Sequence, residues 1–374
     1  MGQAPKGSTY NVVGEGYPLI AGAGDFGECF PKPKKWTNAP TKIGSAGDIL
    51  LCIRATIGDL NWVRSDCCLG RGVAGLRAQS ERLDQKYLWH WLTYAAPDLR
   101  AKGRGATFLQ ISKSDLHSIA LPLPALFEQK RIARILDAAD ALRAKRRESI
   151  AQLDALVQSR FLEMFGDPVS NPMKWETRSL DSLLQSVEGG WSPKCLARPA
   201  TLDEWGVLKL GAVTWCSFDE SAQKALPEDT TTRKHLEVKA GDLLFARKNT
   251  SDLVAATVYV REVRPKLLFP DLMFRLKLKP SEGANEIFLW QLLVEPRQRG
   301  EIRNLASGAA GSMPNISKAK LKAVEVIAPP SKMQEQFATK VGAVELQKAK
   351  LLIHSTELDT LFASLQSRAF AGEL

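Results

Sequence analysis

The sequence predicts an α+β fold in which two globular domains are separated by two long helices. Three observations lead to this prediction. A set of short motifs recurs 188 to 205 residues along the chain, residues 125–165 contain neither proline nor glycine, and a second stretch with coiled-coil spacing closes the chain. Each repeated unit is far longer than the ~20 to 50 residues of a solenoid repeat, so the pattern indicates duplicated domains.

Short motifs, rather than overall similarity, define the repeat. In order of first and second copy, the pairs are Gly2-x-x-Pro5 with Gly190-x-x-Pro193, Ala46-Gly47-Asp48 with Ala240-Gly241-Asp242, Ile111-Ser112-Lys113 with Ile316-Ser317-Lys318, and Leu153-Asp154 with Leu358-Asp359. The basic residue that follows the Gly-Asp motif, Arg54, is matched to Arg247. Because the domains differ strongly outside these anchors, we expect one fold with two different surfaces.

Residues 1–124 and 167–330 are predicted to be the globular domains, followed by long helices over 125–166 and 331–374. In each domain, short apolar runs alternate with Gly, Pro, Asn and Asp, a pattern typical of strands in a mixed α+β domain. The predicted strands are 49–53, 73–76, 243–245, 256–260 and 273–276, and shorter helices are predicted at 85–94 and 286–293.

The long helices have clear sequence limits. Gly166 and Pro168 stop the first, since glycine permits a left-handed cap and proline cannot continue a helix. Ser331 begins the second after two prolines, and Gln334 completes a predicted capping box. Apolar residues recur near the 3.5-residue period of a coiled-coil seam. The residues predicted to pack the helix pair are Ile132, Ile135, Ala139, Leu142, Leu153, Leu156, Phe337, Val341, Val344, Leu351, Leu358 and Phe362.

A lone helix with such a stripe cannot hide it from water. We therefore expect the two helices to pair with each other, antiparallel. The alternative is that each helix packs onto its own globular domain. A helix of about 40 residues spans roughly 60 Å, which exceeds the ~34 Å of one DNA turn.

Charge and composition favour a phosphate-bearing partner. The net charge is +10, and the excess lies mainly in the globular domains and the first long helix, without a continuous Lys/Arg tract. This balance fits a folded basic face, although many soluble proteins are as basic. The cysteines and histidines show no metal-site spacing, so no metal is expected. No signal peptide or membrane span is apparent, and we expect a cytoplasmic protein.

Loops rich in basic and small residues precede both Ile-Ser-Lys motifs. Glycine lets backbone N–H groups approach a phosphate, and arginine can bind phosphate or a guanine edge. The residues predicted to bind DNA are Arg54, Arg71, Lys102, Arg104, Thr107, Arg247, Lys248, Asn249, Thr250, Arg303, Asn304 and Ser312. For any single residue an ordinary solvated loop is the alternative, and recurrence in both domains is what favours the group.

The sequence carries no catalytic motif that we recognise, so no catalytic residue is predicted. The match to GxGxxG at 22–27 is rejected, because prolines follow within six residues where a dinucleotide fold needs a helix. An enzyme in its own right is one alternative function. A coiled-coil adaptor that joins proteins without touching DNA is the other.

Taken together, the motifs resemble a known family. Glu128-Gln129-Lys130-Arg131-Ile132 opens the first long helix, and Arg368-Ala369-Phe370-Ala371-Gly372-Glu373-Leu374 ends the chain. With the repeated Ile-Ser-Lys segments, and with Gly2-Gln3-Ala4-Pro5 and Asp25-Phe26-Gly27-Glu28 near the start, the chain resembles the DNA specificity subunit of type I restriction-modification systems. The resemblance covers essentially the whole chain, and its strength lies in the order and duplication of the motifs.

The resemblance implies a role without chemistry. Each globular domain would be a target recognition domain that reads half of an asymmetric, bipartite site in double-stranded DNA. The helices would fix the gap and dock two methyltransferase subunits, joined by motor-nuclease subunits. No cofactor is expected on this chain, whereas S-adenosylmethionine, ATP and Mg are expected on the partners.

One departure from the repeat concerns the start of the chain. The second domain has residues 175–187 ahead of Gly190, whereas the first begins at Gly2 without a counterpart. A truncated chain or a misplaced start would explain the difference. If an element is missing, we expect a less stable first domain, and an upstream-extended chain would then melt at a higher temperature.

Overall fold

The chain divides into two compact units. The computed structural model describes residues 1–308 and 313–374. We call residues 1–148 with 352–374 the first unit, and residues 149–351 the second unit. Each unit thus contains one globular region together with a part of each long helix.

The first globular region is built mainly from short strands. Its strands are β1 (Tyr10–Asn11), β2 (Tyr17–Ile20), β3 (Lys35–Thr37), β4 (Ile43–Gly44), β5 (Ile49–Cys52), β6 (Leu60–Trp62), β7 (Cys67–Leu69) and β8 (Val73–Leu76). Helices α1 (Gln85–Tyr94), α2 (Ala96–Ala101) and α3 (Lys113–His117) follow, and then the long helix α4 (Leu126–Phe165).

The second globular region repeats this order with additions. Its strands are β9 (Thr177–Ser179), β10 (Leu184–Gly189), β11 (Gly206–Leu208), β12 (Gln223–Ala225), β13 (Leu243–Ala246), β14 (Thr257–Tyr259), β15 (Leu267–Leu268), β16 (Met273–Leu278) and β17 (Glu325–Ile327). Its helices are α5 (Leu180–Leu183), α6 (Glu286–Val294), α7 (Pro296–Asn304), α8 (Lys318–Lys322) and the long α9 (Ser331–Ala371).

A sheet built around one buried strand recurs in both units. In the first unit β5 pairs antiparallel with β6 and β8, and in the second β13 pairs antiparallel with β14 and β16. A second sheet in the first unit runs β1-β3-β2-β7-β4, and the second unit has β12-β11-β15. Strand β10 extends the recurring sheet of the second unit beside β16, and β17 pairs with β9.

The repeated Gly-Asp motif forms the turn that enters the buried strand. Gly47 and Gly241 have φ values of 87° and 93°, in the left-handed region that glycine adopts readily. The carboxylates of Asp48 and Asp242 each accept a 2.9 Å hydrogen bond from a backbone N–H three residues earlier. The motif therefore recurs because both units need the same turn.

Gln129 ties the start of α4 to the globular region of the first unit. Its side chain is fully buried. Its Oε1 accepts a 2.9 Å hydrogen bond from the backbone N–H of Asp84, which caps the N-terminus of α1. Its Nε2 donates to the carbonyls of Arg82 and Pro124, at 2.9 and 2.8 Å.

Gln334 makes the corresponding connection in the second unit. Its Oε1 accepts from the backbone N–H of Asn285, the N-cap of α6, at 3.0 Å, and its Nε2 donates to the carbonyl of Pro329 at 2.7 Å. The amide oxygen and the amide nitrogen of Gln334 therefore both bond to residues other than Ser331. The predicted capping box is therefore wrong, because the Oε1 that it would have used accepts from Asn285, which is distant in the sequence.

Within the first unit, α4 and α9 run antiparallel. Arg131 donates to the carbonyl of Leu374 at 2.5 Å, and further along α4 the Arg143 Nε lies 2.6 Å from an oxygen of Asp359. The Arg143 guanidinium also lies 4.4 Å from the ring centroid of Phe362. Since the α4 residue number rises as the α9 number falls, the two segments pack in opposite directions.

An ion pair and a hydrogen bond to the same carboxylate also join α4 to α1 in the first unit. His90 is 2% exposed, and its Nε2 donates to an oxygen of Asp137 at 2.9 Å. The Lys86 Nζ lies 2.6 Å from the other oxygen of the same carboxylate. Burial alone would raise the pKa of Asp137, but the hydrogen bonds from Lys86 and His90 outweigh it and lower the pKa.

The second unit repeats the antiparallel packing. Lys348 lies 2.5 Å from Asp154, and the rings of Phe161 and Phe337 meet edge to face with centroids 5.7 Å apart. Phe161 also stacks on Phe288 of α6, at 5.8 Å. The helix pair of this unit is thus joined to its globular core by aromatic contacts.

The twelve predicted packing residues differ in burial. Those that are buried are Ile132, Ala139, Phe337, Val341, Leu351 and Phe362, and those that are half-buried are Ile135, Leu153, Val344 and Leu358. Leu142 and Leu156 are 54% and 41% exposed, whereas Val157 is buried. The middle of α4, residues 143–148, is polar except for Ala144 and therefore fixes the phase of the stripe poorly. A one-residue error turns a side chain by about 100° on a helix of 3.6 residues per turn.

The predicted fold class, α+β with a long helix pair packed antiparallel, is confirmed. The predicted ends of α4 are also close to those found, and Gly166 adopts a φ of 74° directly after Phe165. Over residues 1–308 and 313–374, the structure contains no helix with the length and apolarity needed to cross a bilayer.

Candidate nucleic-acid interface

In the first unit, two loops carry most of the predicted DNA-binding residues, and backbone bridges hold the loops together. The carbonyl of Ile53, directly after β5, accepts a 3.0 Å hydrogen bond from the N–H of Ile111. Arg54 forms a bridge with Gln110. Gln110 in turn exchanges two backbone hydrogen bonds with Arg104, at 2.9 and 3.0 Å. The bridges therefore place Arg54, Gln110 and Arg104 side by side.

The two arginines keep their charged groups at the surface. The Arg54 guanidinium lies 5.7 Å from the ring centroid of Phe108, which is itself 56% exposed. The side chain of Arg104 is 80% exposed, and its Nη2 lies 3.0 Å from Asp115. Hydrogen bonds from Ser112 hold the pKa of Asp115 below its ordinary value, and Arg104 adds to the effect. A carboxylate therefore orients Arg104 without covering it.

Three further predicted residues lie around these loops. Arg71 is exposed in the turn between β7 and β8, where the carbonyl of Gly72 accepts a 2.9 Å hydrogen bond from Ile53. Lys102 is half-buried after α2, and Thr107 is exposed. Arg71 thus lies at the same end of β5 as Arg54.

The second unit has the same bridges with different side chains. The carbonyl of Arg247, directly after β13, accepts a 2.8 Å hydrogen bond from the N–H of Ile316. Lys248 forms a bridge with Asn315, and Asn315 exchanges two 3.0 Å backbone hydrogen bonds with Ser307. Lys248, Asn315 and Ser307 therefore lie side by side in the second unit.

These bridges correct one match made from the sequence. Arg54 corresponds to Lys248 rather than to Arg247, because both follow the buried strand by the same number of residues and both bridge to the residue before Ile-Ser-Lys. Arg247 is engaged within the fold. Its Nε donates to the Oδ1 of Asn315 at 3.1 Å, and its guanidinium lies 4.8 Å from the ring centroid of Phe274.

Asn249 and Thr250 follow Lys248 in the same loop. Asn249 is buried, and its Oδ1 accepts a 2.9 Å hydrogen bond from the N–H of Thr250. Its Nδ2 has no hydrogen-bond partner among the residues that the structure describes. Thr250 is exposed. The loop thus presents Lys248 and Thr250 outward and Asn249 inward.

The remaining predicted residues of this unit have different placements. Arg303 is half-buried and braces the loop, with its Nε donating to the carbonyl of Ser251 at 2.9 Å and its Nη2 lying 3.0 Å from Asp252. Asn304 is exposed. Ser312 lies outside the described residues.

Gln110 and Asn315 are candidate contacts that the sequence reasoning missed. Both carry an amide, and both lie between the basic residue of one loop and the outer loop. The signal that could have found them is their place immediately before the repeated Ile-Ser-Lys motif. Side-chain amides can read adenine edges, whereas Arg and Lys bind phosphates and guanine, so this combination suits contact with DNA.

The site shows no sign of metal chemistry within the described part of the chain. No group of three or more His, Cys, Asp or Glu side chains there could hold a metal ion. The cysteines of the described residues are free thiols. The pKa of Cys67 is raised to about 11, mainly by burial.

Comparison with known sequences finds one family. Residues 16–153 match the model of the type I restriction modification DNA specificity domain. The "Putative type I restriction enzyme MjaX specificity subunit" of Methanocaldococcus jannaschii is 42% identical over 154 residues, 41% of this chain and 36% of that protein. The type I restriction enzyme EcoEI specificity subunit of Escherichia coli is 29% identical over 168 residues, 45% of this chain and 28% of that protein. The matches therefore span well under two thirds of either relative.

Comparison with solved structures finds a similar fold. The crystal structure of the S subunit of a type I restriction-modification system from M. genitalium superposes with a TM-score of 0.53. The match covers 99% of this chain and 92% of that chain, at 12% sequence identity. At this identity the likeness is one of fold.

Proposed function

We propose that each unit of this chain reads one half of a bipartite DNA target, since the chain belongs to the family of type I restriction-modification specificity subunits. The duplicated loop arrangement carries this proposal. In both units, backbone bridges bring a basic residue and an amide together at the end of a buried strand. Such a frame can hold side chains against a groove while neighbouring cations bind phosphates.

The two units would read different half-sites. The backbone bridges are the same in both units, but the side chains that they carry differ. They are Arg54, Gln110 and Arg104 in the first unit, and Lys248, Asn315 and Ser307 in the second. Because arginine, lysine and the amides prefer different base edges, an asymmetric target follows.

The long helices would fix the gap between the half-sites and dock two methyltransferase subunits. Apolar side chains on the helices support docking, because they remain exposed in each unit. In the first unit these include Leu142, Ile353 and Leu361, and in the second Leu156 and Leu346. Exposed apolar groups of this kind favour a protein partner.

Chemistry would reside on the partners. We propose that this chain supplies specificity alone and works in the cytoplasm. The methyltransferase subunits would bind S-adenosylmethionine and methylate a flipped adenine. Motor-nuclease subunits would use ATP and Mg to cut unmodified DNA.

Charge reversal in the loops tests DNA reading. Arg104→Glu or Lys248→Glu should weaken sequence-specific DNA binding at least about tenfold and reduce its salt dependence. Lys130→Glu and Lys350→Glu, which make the same charge change on exposed helix positions, are matched controls and should bind as the wild type does. Arg104→Gln, which avoids repulsion with Asp115, checks that lost binding is not lost folding.

The same experiment separates the alternatives. Unchanged binding by both loop variants would contradict the proposal and favour an adaptor that joins proteins without touching DNA. Methylation or cleavage by the purified chain alone would instead establish an enzyme.

A further inference from the structure

A second duplicated feature lies outside the DNA-binding loops. An aromatic-Val-Arg sequence and a Leu-Trp sequence recur at matching places in the two units. In order of first and second copy, they are Trp62-Val63-Arg64 with Tyr259-Val260-Arg261, and Leu88-Trp89 with Leu289-Trp290. We call these two sets of three residues the aromatic-arginine patches. They are Trp62, Trp89 and Arg64 in the first unit, and Tyr259, Trp290 and Arg261 in the second.

The sheet register makes the two patches equivalent. Trp62 pairs with Ile49 at the start of β5, and Tyr259 pairs with Leu243 at the start of β13. The tryptophan of α1 or α6 then follows its helix N-cap by five residues in both units. The ring positions therefore match in structure as well as in sequence, whereas the two arginines contact different rings.

In the first unit, the two rings of the patch are stacked. The ring centroids of Trp62 and Trp89 are 4.7 Å apart, with an interplanar angle of 12°. Both side chains are half-buried. Arg64 is exposed, and its guanidinium lies 5.8 Å from the ring centroid of Phe30, which is 44% exposed. The patch thus combines stacked, half-buried rings with an exposed arginine two residues after Trp62.

In the second unit, the arginine lies over the rings. The centroids of Tyr259 and Trp290 are 6.4 Å apart, and the Arg261 guanidinium lies 5.4 and 5.6 Å from them. The Arg261 Nε is 3.6 Å from a carboxylate oxygen of Glu345. Contacts to two rings hold the guanidinium over the patch and leave part of its hydrogen-bonding capacity unused.

This patch forms one wall of a cavity of about 550 Å³ in the second unit. Arg261 and Arg299 both line it, and each has one buried nitrogen, Nη2 and Nε respectively, without a hydrogen-bond partner among the described residues. Four carboxylates also line it. Asp154 pairs with Lys348, Glu345 lies near Arg261, Glu295 accepts from backbone N–H groups at the start of α7, and Glu262 is exposed to solvent. An occupant with an apolar group beside a carboxylate would therefore satisfy the cavity, since buried donors without partners are costly.

The patches lie away from the DNA-binding loops. Tyr259 pairs with the first residue of β13, whereas Lys248 follows the last. In the first unit, Trp62 likewise pairs with the first residue of β5, whereas Arg54 follows the last. A partner on the patches would therefore leave the basic loops free for DNA.

We infer that each aromatic-arginine patch docks one copy of the same methyltransferase subunit, through a segment that carries an apolar side chain beside an acidic one. This inference rests on the proposed function and adds to the docking surface on the long helices a second contact with stated chemistry. A partner present in two identical copies requires the same surface twice. The DNA-binding loops differ between the units, whereas the patches recur, and Trp, Tyr and Arg are the residue types that dominate binding energy at interfaces.

The number of methyltransferase copies per chain tests the inference. The full chain is co-expressed with its methyltransferase subunit, and the complex is weighed by native mass spectrometry over a concentration series. The wild type should carry two copies. Arg64→Glu and Arg261→Glu should each remove one, and the double variant should remove both, with a rise in Kd of about 30-fold per site. Trp89→Ala and Trp290→Ala should act in the same way.

Matched controls separate lost docking from a general effect of charge, and melting curves separate it from misfolding. Lys34→Glu and Lys224→Glu reverse exposed charges elsewhere in the first and second units and should retain two copies. If a tryptophan variant melts early, the exposed Arg64→Glu variant still decides the first site. Two copies bound with unchanged Kd by the double arginine variant would overturn the inference, as would loss of DNA binding with both copies retained. A wild type that binds neither DNA nor methyltransferase would instead overturn the proposed function itself.

Discussion

Replacing Gln129 by leucine should destabilise the first unit by about 3 kcal/mol. The side chain is fully buried and makes three hydrogen bonds, so its loss leaves one N–H and two carbonyl groups unsatisfied, at ~1 kcal/mol or more each. Gln334→Leu removes two such bonds and should cost the second unit about 2 kcal/mol. Gln129→Leu should be the more destabilising substitution, because it removes three hydrogen bonds and Gln334→Leu removes two.

Urea unfolding of the full chain measures both effects. Because the units have separate cores, two transitions are expected, and each variant should shift the transition of its own unit. Gln347→Leu, on an exposed face of α9, is the matched control and should change stability by less than about 0.5 kcal/mol. The reasoning would be refuted if Gln129→Leu behaved like this control, or if Gln334→Leu were the more damaging substitution.

Other substitutions test the fold at separate points. Gly190→Ala should destabilise the second unit by about 1 to 3 kcal/mol, measured by the same unfolding, because the new Cβ would overlap the backbone carbonyl of Pro270; an unchanged midpoint would show that this approach is not tight. Asp137 has a folded-state pKa below its unfolded value, so its ion pair stabilises above the unfolded pKa and is lost as the pH falls through the folded one. Asp137→Asn should therefore flatten the acid side of a stability profile, and a parallel profile would contradict the assignment. At pH 8 iodoacetamide should modify the exposed Cys29 well before the buried Cys67, whose pKa is about 11, as read by mass spectrometry; equal rates would contradict its burial.

The sequence predicted the elements that depend on local pattern. The first long helix and its ends followed from a stretch without proline or glycine, and the second followed from its coiled-coil spacing after two prolines. Helix α1 was predicted with its observed limits. The buried strands followed from short apolar runs between turn residues. These features are local because periodicity, caps and turn residues act within a few positions.

The parts that were missed depend on contacts between distant segments. Gln334 was assigned to a local capping box, yet its partners include Asn285, which lies 49 positions away. Arg54 was matched to Arg247, because only strand pairing shows that Lys248 holds its place. Leu156 was expected in the helix seam and is exposed, since the polar middle of α4 leaves the phase of the stripe undetermined.

Mapping methylated adenines in DNA from cells that express this chain with its methyltransferase subunit tests the central claim most directly. The account predicts methylation within a split, asymmetric motif. Substitution of Arg54, Gln110 and Arg104 should relax one half of the motif, and substitution of Lys248 and Asn315 should relax the other. A continuous motif, or a motif unchanged by both sets of substitutions, would contradict the claim that two non-identical units each read half of the target.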